Sequence, residues 1–412
     1  MKSILFLQGP PSSFFSMMSK ALAKSGHNVW KLNLCPGDVF FWKAGNSINY
    51  KGSLEKWESF ISEFLFQNKI DLIILYGEQR TYHKIAISCA YKLKIPIIVS
   101  EFGYIRPDWL IFEFNGISGS SLFPRNPEEI HLLAHNSPDY SLNPVYKING
   151  LYWSVCELIY PLLNWIFSFS FPNFRMKLNP NLRLYIGTNL HIIKTFFARG
   201  KVKKIIDRLL LEKGEYFVFP LQVEDDFQIS AYSSYSGMSQ AIREVVESFA
   251  KYAYKDAKLI VKLHPLESIA YNWEKLCKNL CVQYNLKDRL FCIDGGSLEK
   301  LLKGAAGVVT INSTVGIKAL IECLPVKVLG QAVYDISGLT FKGTLEDFWV
   351  DNFKPDKKLR DNFIRALASC VHLRGSYYSK EGLAAAVKEA VYRIENNLIN
   401  KPLDRNSLNL YE

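Results

Sequence analysis

Short apolar runs alternate with amphipathic segments along most of this chain, and this alternation is the feature that most constrains its fold. In the first hundred residues the runs predict four strands separated by three helices. The strands are Ser3–Gln8, Asn28–Leu34, Asp71–Tyr76 and Ile97–Glu101, and the helices are Phe14–Lys24, Leu54–Gln67 and His83–Lys94. A β-α-β-α order of this kind predicts a parallel sheet covered by helices on both faces.

The same alternation returns after about residue 205. Strands are predicted over Tyr216–Leu221, Lys258–Leu263, Leu290–Ile293, Gly307–Ile311 and Val326–Leu329, and helices over Met238–Ala253 and near 272–283, 297–303 and 315–323. The tail Lys357–Asn397 is predicted to be helical and to pack back across the junction. The predicted fold class is therefore α/β with two Rossmann-like domains, 1–205 and 206–380, followed by a C-terminal helix and tail over 381–412.

An apolar and then basic insert near 148–205 separates the two halves. Leu151–Phe171 is almost wholly apolar, with Glu157 as its one charged residue and Pro161 as an interruption. Three interpretations stay open for it: a core or inter-domain helix, a helix on an anionic membrane surface, and a membrane span. No acidic residue occurs from Leu158 to Ile206, whereas the basic residues there are Arg175, Lys177, Arg183, Lys194, Arg199, Lys201, Lys203 and Lys204.

The charge balance indicates what kind of partner the chain has. Lys and Arg number 50 against 39 Asp and Glu, a net charge of +11, which favours anionic partners. Nucleic acid is not expected, because the basic residues cluster beside apolar ones instead of following a recognition helix. An anionic membrane surface, a nucleotide or an acidic sugar fits better.

The cysteines exclude other classes. All eight are scattered without a Cys-x-x-Cys pair, and Cys277 and Cys281, four residues apart without a nearby His, fit a core role better than a metal site. A disulfide framework is not expected in so large a chain, and the first apolar run is too short for a secretion signal. These features predict a cytoplasmic protein.

In the second half, three polar motifs follow predicted strands, where open parallel sheets bind their ligands. They are the acidic stretch that follows Gln222 and includes Asp226, the pair His264-Pro265 after Lys262, and Asn312-Ser313-Thr314 before Gly316. A solvated loop, a structural histidine and an ordinary helix cap are the respective structural alternatives. The functional interpretation is a nucleophilic or basic carboxylate beside groups that bind phosphate. No GxxxxGK[ST] or GxGxxG motif is present, which disfavours a P-loop NTPase or a dinucleotide oxidoreductase.

A fourth motif, Ser100–Trp109, ends the first half. Glu101 ends a predicted strand, so it is a candidate to face an inter-domain cleft. An equal alternative is a structural role for this motif, in which an ion pair between Arg106 and a carboxylate braces the loop. One carboxylate from each half, meeting across a cleft, is an arrangement that glycosyl chemistry uses.

Together these motifs resemble the capsule polysaccharide biosynthesis family, whose members include β-Kdo transferases of capsule and O-antigen assembly. The matching runs are PLQVxxDxQ, VKxHP, INSTVG followed by LPVKVLGxAxYDxxGLT, and ExGYxRPDW followed by GxxxxSxxPR. The resemblance extends from the Gln8-Gly9-Pro10 turn to about residue 345. It implies a GT-B fold, CMP-Kdo as the donor bound mostly by the C-terminal half, and retention of the β configuration.

The resemblance also implies roles for single residues. Asp226 matches the nucleophile and Glu101 the acid/base. Donor binding is implied for Gln222, Lys262, His264, Asn312, Ser313, Thr314 and Gly316, and acceptor or sugar binding for Gln8, Tyr104 and Arg106. Phe227 departs from the family, which often has Ser there, and Met176 and Lys177 replace histidines.

The implied function is retaining transfer of Kdo from CMP-Kdo to a glycan or lipid-linked acceptor, without a cofactor or metal, at the inner face of the cytoplasmic membrane. Two alternatives stay open. One is an inverting GT-B enzyme that uses another CMP-sugar, such as a sialic acid. The other is a non-catalytic component of capsule assembly or export.

Overall fold

The computed structural model describes residues 1–174, 200, 202–211, 214–224, 226–267 and 270–403. The chain divides into two compact units. The first unit consists of Met1–Pro124, Glu128–Asn179 and Asn362–Glu412, and the second of Arg125–Pro127 and Pro180–Asp361. Each unit is built around its own sheet with parallel strands at its centre, which confirms the predicted α/β fold class.

The strands in chain order are β1 Ser3–Phe6, β2 Asn28–Asn33, β3 Ile48–Asn49, β4 Leu72–Tyr76, β5 Ile97–Phe102, β6 Trp109–Phe114, β7 Tyr216–Pro220, β8 Lys258–Lys262, β9 Leu290–Ile293, β10 Gly307–Thr310, β11 Val326–Val328 and β12 His372–Arg374. The α-helices are α1 Phe14–Lys24, α2 Pro36–Phe41, α3 Trp57–Gln67, α4 Thr81–Lys92, α5 Pro127–His135, α6 Gly150–Ile166, α7 202–211, α8 Phe227–Tyr232, α9 Met238–Tyr252, α10 Trp273–Gln283, α11 Leu298–Lys303, α12 Val315–Ile321, α13 Leu345–Phe348, α14 Lys357–Val371 and α15 Lys380–Glu395.

The sheet of the first unit has the strand order β12-β6-β5-β4-β1-β2-β3. Its strands from β5 to β3 are parallel, as the alternation predicts, but β6 runs antiparallel to both β5 and β12. A short loop joins β5 to β6, and a connection of that length suits antiparallel neighbours because a parallel crossover needs about a dozen residues or more. The prediction of a parallel sheet is therefore wrong for β6.

The second unit holds a five-stranded, wholly parallel sheet in the order β11-β10-β7-β8-β9. Every residue of β7 and β10 is buried, which is the pattern of a strand covered on both faces. Because β10, β7 and β8 are adjacent and parallel, their carboxyl ends lie along one edge. The three second-half motifs follow these ends.

The C-terminal tail differs from the continuous helical stretch that was predicted. Between α14 and α15 the chain forms β12, where His372 pairs with Ile111 of β6. α15 then packs against α1. Residues 362–380, assigned by the sequence to the second domain, therefore lie in the first unit, because strand pairing and helix packing hold them there.

The apolar insert forms α6, which has Pro161 inside it and buries Cys156 and Tyr160. Of the helices that the structure describes, none is long and apolar enough to cross a membrane. The basic positions from Arg175 to Arg199, and Lys201, lie outside the described residues. The prediction of a core helix thus holds for one face of α6.

The cysteines follow their prediction. All eight are free thiols. Cys277 is buried in the core of the second unit, and Cys281 packs against that core.

Candidate functional site

In the second unit, the side chains of Gln222, Asp226 and Asn312 form one hydrogen-bonded cluster. Gln222 follows β7 and Asn312 follows β10, so the shared edge of the two strands brings them together. The Gln222 Nε2 donates to Asp226 Oδ2 at 3.0 Å and to Asn312 Oδ1 at 2.9 Å. The Asn312 backbone N–H donates to Gln222 Oε1 at 3.3 Å, and Asn312 Nδ2 donates to the Gln228 carbonyl at 2.8 Å. Two motifs that lie 90 residues apart in sequence are thus joined.

Asp226 also begins α8, because its Oδ1 accepts a hydrogen bond from the Gln228 backbone N–H at 2.9 Å. An aspartate in this position is an ordinary helix cap. The carboxylate is nevertheless only partly buried, and its other oxygen is held by Gln222. The side chain therefore has a fixed orientation at the edge of the sheet together with access to solvent, which a nucleophile requires.

Lys262 ends the neighbouring strand, β8, and His264 follows it, but their environments differ. Lys262 is 5% exposed, and its Nζ donates to the Leu263 carbonyl at 3.1 Å. Burial lowers the pKa of Lys262, while the charge of Asp294 opposes that shift. Lys262 is thus largely buried at this edge, and its contact with the donor stays a prediction.

His264 is partly exposed at the same edge. Its Nδ1 accepts a hydrogen bond from the Leu266 backbone N–H at 3.1 Å. A neutral imidazole that accepts at Nδ1 carries its proton on Nε2. His264 thus has the donor tautomer that its predicted role toward a phosphate requires.

Ser313, Thr314 and Gly316 form the turn from β10 into α12. Ser313 Oγ accepts from the Val315 backbone N–H at 3.3 Å, and the Ser313 carbonyl accepts from the Tyr334 hydroxyl at 2.5 Å. Ser313 and Thr314 are both partly exposed. A Cβ atom at Gly316 would overlap the Tyr334 ring, so only glycine lets the turn approach Tyr334 this closely. Gly316 therefore shapes this edge through packing.

Glu224 and Glu267 organise the same edge, and the sequence analysis assigned them no role. Glu224 Oε2 accepts from the Met238 backbone N–H at 2.6 Å, at the start of α9. The buried Glu267 Oε2 accepts from Trp273 Nε1 at 3.0 Å and from the Glu224 backbone N–H at 3.3 Å. Both carboxylates thus hold the loops after β7 and β8. The available signal was their position in the two loops that follow adjacent apolar strands.

In the first unit, Glu101 lies near the carboxyl end of β5. Its Oε1 accepts from the Phe102 backbone N–H at 3.0 Å. Burial raises the pKa of Glu101, and this shift is opposed by the Phe102 N–H, by a hydrogen bond from Tyr76 and by the charges of Arg80 and Arg106. A carboxyl group with a raised pKa has the property that an acid/base residue needs near neutral pH.

Tyr76 and Arg80 are functional candidates that the sequence analysis missed. Burial raises the pKa of Tyr76 well above its ordinary value, so its hydroxyl stays a neutral donor to Glu101. The Arg80 guanidinium lies over the Tyr76 ring, 5.0 Å from its centroid. Gly77, at φ +69°, passes so close that a Cβ there would lie 3.2 Å from Glu101 Oε2. The position of these residues after β4, next to β5, was the available signal.

Gln8, predicted to bind sugar, lies in a buried polar cluster after β1. Its Nε2 donates to the Tyr160 hydroxyl at 2.5 Å, and that hydroxyl donates to Asp38 Oδ1 at 2.9 Å. Cys35 lies 3.1 Å from the same hydroxyl, and burial raises the pKa of its thiol to about 12. With a side chain 3% exposed, Gln8 is corrected to a residue that anchors α6.

Tyr104 and Arg106, the other two predicted sugar-binding residues, have opposite environments. The Tyr104 hydroxyl is buried, donates to Glu113 Oε1 at 3.1 Å and accepts from the Ser118 backbone N–H at 2.6 Å. Its proton is therefore used internally, which corrects its predicted role. Arg106 is exposed, and its guanidinium lies 4.8 Å from the centroid of the Phe102 ring. Arg106 remains a candidate to contact a ligand.

The loop that carries these residues is braced by an ion pair, but the pair joins Asp108 to Arg374 at 3.2 Å. The same Asp108 oxygen accepts from the backbone N–H groups of Val145 and Tyr146 at 2.7 and 2.9 Å. The bracing role considered for Arg106 therefore belongs to Arg374. Across the described part of the chain, no group of three or more His, Cys, Asp or Glu side chains is placed to hold a metal ion.

Fold and site together define an α/β protein of two units, each with polar residues gathered at the carboxyl ends of parallel strands. The family model described as capsule polysaccharide biosynthesis protein matches residues 71–378. The chain belongs to that family. The predicted family resemblance is thereby confirmed.

Relatives of known name agree with this assignment. The chain is 32% identical to the capsule polysaccharide export protein KpsS of Escherichia coli over 385 residues, 92% of this chain and 97% of KpsS. It is 29% identical over 395 residues, 92% of both chains, to the capsule polysaccharide modification protein LipB of Neisseria meningitidis serogroup A. The solved β-Kdo 2,7 transferase KpsC of Thermosulfurimonas dismutans is 15% identical and covers 95% of this chain and 99% of its own, with a TM-score of 0.46, a distant likeness.

Proposed function

We propose that this protein is a retaining glycosyltransferase that moves Kdo from CMP-Kdo to a glycan or glycolipid acceptor during synthesis of a bacterial surface polysaccharide. The observation that carries this proposal is the Gln222–Asp226–Asn312 cluster. It fixes a partly exposed carboxylate at the edge of the parallel sheet that also carries His264 and Ser313. The motif resemblance supplies CMP-Kdo as the donor, and the family supplies capsule polysaccharide as the context.

The first step uses the second unit. Asp226 attacks the anomeric carbon of Kdo and forms an ester bond, while the bond from that carbon to the phosphate oxygen breaks and CMP leaves with the electron pair. His264 Nε2–H and the hydroxyl groups of Ser313 and Thr314 are the neutral donors for the leaving phosphate. Gln222 orients the attacking carboxylate through its hydrogen bond of 3.0 Å.

The second step uses Glu101 as the base. An acceptor hydroxyl gives its proton to Glu101 and attacks the anomeric carbon, and the bond to Asp226 breaks. Two displacements at one carbon retain the configuration. Burial raises the pKa of Glu101, which makes its carboxylate a stronger base toward the acceptor hydroxyl.

The test is the variant Asp226→Asn, because asparagine caps a helix as well as aspartate and only the nucleophile is lost. We expect acceptor-independent CMP release from CMP-Kdo to fall by about 10³-fold or more. Intact-mass spectrometry of the unmodified protein should show a Kdo adduct that maps to the peptide 222–228. The adduct should be absent from the variant.

The matched control is Asp347→Asn. Asp347 is an exposed carboxylate in the capping box of α13, in the same unit and away from the cluster. This control should release CMP at the unmodified rate. Full activity of Asp226→Asn would remove Asp226 from the mechanism, and turnover of CMP-sialic acid without turnover of CMP-Kdo would establish the inverting alternative.

A second candidate function is favoured by the name of one relative, the export protein KpsS. In this case the chain binds an acidic capsule glycan without transferring sugar. Asp226→Asn would then leave glycan binding unchanged, and neither protein would release CMP. The first proposal also includes a location at the inner face of the cytoplasmic membrane and a reaction without a metal ion. If no metal ion takes part, CMP release should be unchanged in EDTA.

A further inference from the structure

The loop Gly330–Thr340, named the Tyr334 loop, follows β11 and contains the motif GxAxYDxxGLT, for which the catalytic steps give no role. β11 is the parallel neighbour of β10, so this loop leaves the sheet at the same edge as the turn Ser313–Gly316. Tyr334 itself is 1% exposed. A side chain buried to this degree acts on a ligand only through the residues that it contacts.

Tyr334 contacts both ends of the turn that leads into α12. Its hydroxyl donates to the Ser313 carbonyl at 2.5 Å. Its ring lies so close to Gly316 that a Cβ atom there would overlap it. Burial raises the pKa of Tyr334, and the charge of Asp335 raises it further, so the hydroxyl keeps its proton and remains a donor. One buried side chain therefore fixes the backbone of the turn.

The residue next to Tyr334 holds the loop itself. Asp335 Oδ1 accepts from the Thr340 hydroxyl at 2.7 Å and from Lys342 Nζ at 2.6 Å. The Thr340 backbone N–H donates to the Ile336 carbonyl at 3.0 Å. These hydrogen bonds close the loop on itself directly after Tyr334. Tyr334 thus lies on a segment that has its own internal support.

The start of the same loop contacts the helix of the proposed nucleophile. The Gln331 backbone N–H donates to the Tyr232 carbonyl at 2.7 Å. A Cβ atom at Gly330 would lie 2.7 Å from this carbonyl, so only glycine allows the approach. Tyr232 ends α8, the helix that Asp226 caps. The Tyr334 loop therefore touches both this helix and the turn that is predicted to bind phosphate.

The two hydroxyl side chains of the turn differ in how they are used. Ser313 Oγ accepts from the Val315 backbone N–H at 3.3 Å, whereas the Thr314 side chain makes no capping hydrogen bond to α12. Thr314 is partly exposed. Its hydroxyl is therefore available to donate to a phosphate oxygen, and its position depends on the backbone that Tyr334 holds.

We propose that Tyr334 is a positioning residue that holds the Ser313–Thr314 turn in place for the phosphate group of the CMP-sugar donor. This inference rests on the proposed function, to which it adds a role for the GxAxYDxxGLT motif. Tyr334 contacts no donor atom. It fixes the Ser313 carbonyl, so the hydroxyl groups of the turn are ordered before the phosphate arrives, and binding does not bear the cost of ordering them.

The test is Tyr334→Phe, which removes the hydroxyl and keeps the ring against Gly316. We expect the Kd for CMP, measured by isothermal titration calorimetry on the full chain, to rise about tenfold, because the Ser313 carbonyl loses its partner. The value of kcat/KM for CMP release from CMP-Kdo should fall by a similar factor. Calorimetry distinguishes positioning from a loss of folded protein, since unfolded chains lower the binding stoichiometry and leave Kd unchanged.

The matched control is Tyr216→Phe, in the same unit. Tyr216 is 2% exposed, and its hydroxyl also donates to a backbone carbonyl, that of Leu301, at 2.8 Å. Both variants lose one buried hydrogen bond and should lower the melting temperature alike, but only Tyr334→Phe should change the Kd for CMP. In a Thr314→Ala background the effect of Tyr334→Phe on Kd should shrink to about threefold or less, because a hydroxyl that Tyr334 positions is then absent.

Three results would overturn the inference: an unchanged Kd in Tyr334→Phe, an equal rise in Tyr216→Phe, and an undiminished effect in the Thr314→Ala background. A lack of CMP binding by the unmodified chain would also overturn it, because the turn would then hold no nucleotide phosphate. Failure of the proposed function gives a different result. An unmodified chain that binds CMP as expected but releases none from CMP-Kdo would contradict the transferase activity and leave the positioning role of Tyr334 in place.

Discussion

The carboxyl edges of the two sheets hold their candidate carboxylates in different ways. At the first edge Glu101 lies among Tyr76, Arg80 and Arg106, and burial raises its pKa against those opposing contacts. At the second edge Asp226 accepts hydrogen bonds from a side-chain amide and a backbone N–H and keeps access to solvent. Both side chains are partly buried, so the edges differ in how the carboxylate is treated: burial raises the pKa of Glu101 at the first edge, and hydrogen bonds fix the orientation of Asp226 at the second.

This difference teaches how one fold class serves two chemical roles. A desolvated carboxyl group exchanges a proton more readily near neutral pH, as an acid/base must. A carboxylate that is oriented and solvent-accessible can attack a carbon atom. The parallel strands of the two sheets thus provide similar edges, and the residues at the carboxyl ends of these strands decide which role an edge supports.

The largest effect expected at the first edge comes from Glu101→Gln. In the proposed mechanism Glu101 is the acid/base, so its loss should lower transfer to acceptor by about 10²–10⁴-fold, while formation of the Kdo adduct on Asp226 continues. Stability should not fall at pH 7, because the raised pKa shows that burial disfavours the charged form. The contribution of Glu101 to the free energy of unfolding is present at low pH, where the carboxyl group is protonated. It is lost as the pH rises through the pKa of Glu101 in the folded protein.

The control for this variant is Glu58→Gln, which removes an exposed carboxylate paired with Lys92 at 3.0 Å. It should leave the rate of transfer unchanged. The free energy of unfolding should change by no more than about 1 kcal/mol. If Glu101→Gln abolished adduct formation as well, the division of roles between the two edges would be incorrect.

A smaller effect is expected within the second edge. The variants Gln222→Ala and Asn312→Ala each leave buried polar atoms of the other residue without a partner. A double-mutant cycle on the rate of CMP release should therefore give a coupling energy between the two residues of about 0.5–3 kcal/mol. The exposed pair Ser236 and Gln240, joined at 3.1 Å, is the control and should give a coupling near zero. Additive effects of the first pair would show that Gln222 and Asn312 do not act as one cluster.

The smallest expected effect is a shift in pH dependence from Tyr76→Phe. The Tyr76 hydrogen bond lowers the pKa of Glu101, so its loss raises that pKa further. Since the base must be deprotonated, the acid limb of the transfer rate should move to higher pH. Tyr216→Phe, which removes a buried hydroxyl bonded to the Leu301 carbonyl at 2.8 Å, should leave the limb in place. An unchanged limb in Tyr76→Phe would remove Tyr76 from this edge's mechanism.

Local sequence signals predicted the elements that depend on local physics. The bounds of α1 and β9 match their predictions, since a helix period and a short apolar run are set by neighbouring residues. The sequence placed Asp226 and Asn312 after strands, and the structure joins them through Gln222 because β7 and β10 are adjacent parallel strands that share an edge. Burial of Tyr104 and Gln8 was not predictable, since their partners Glu113 and Tyr160 come together only in the folded unit.

The sequence by itself determined that this chain is an α/β protein with two sheets, and its motifs placed it in a capsule polysaccharide family, because strand and helix periods and motif spacing are local properties. Only the tertiary structure decided that β12 joins the sheet of the first unit and that α6 keeps an apolar face outward. It also decided that burial raises the pKa of Glu101 and that Gln222 holds Asp226. Those outcomes depend on pairings between residues far apart in the chain, which no local pattern specifies.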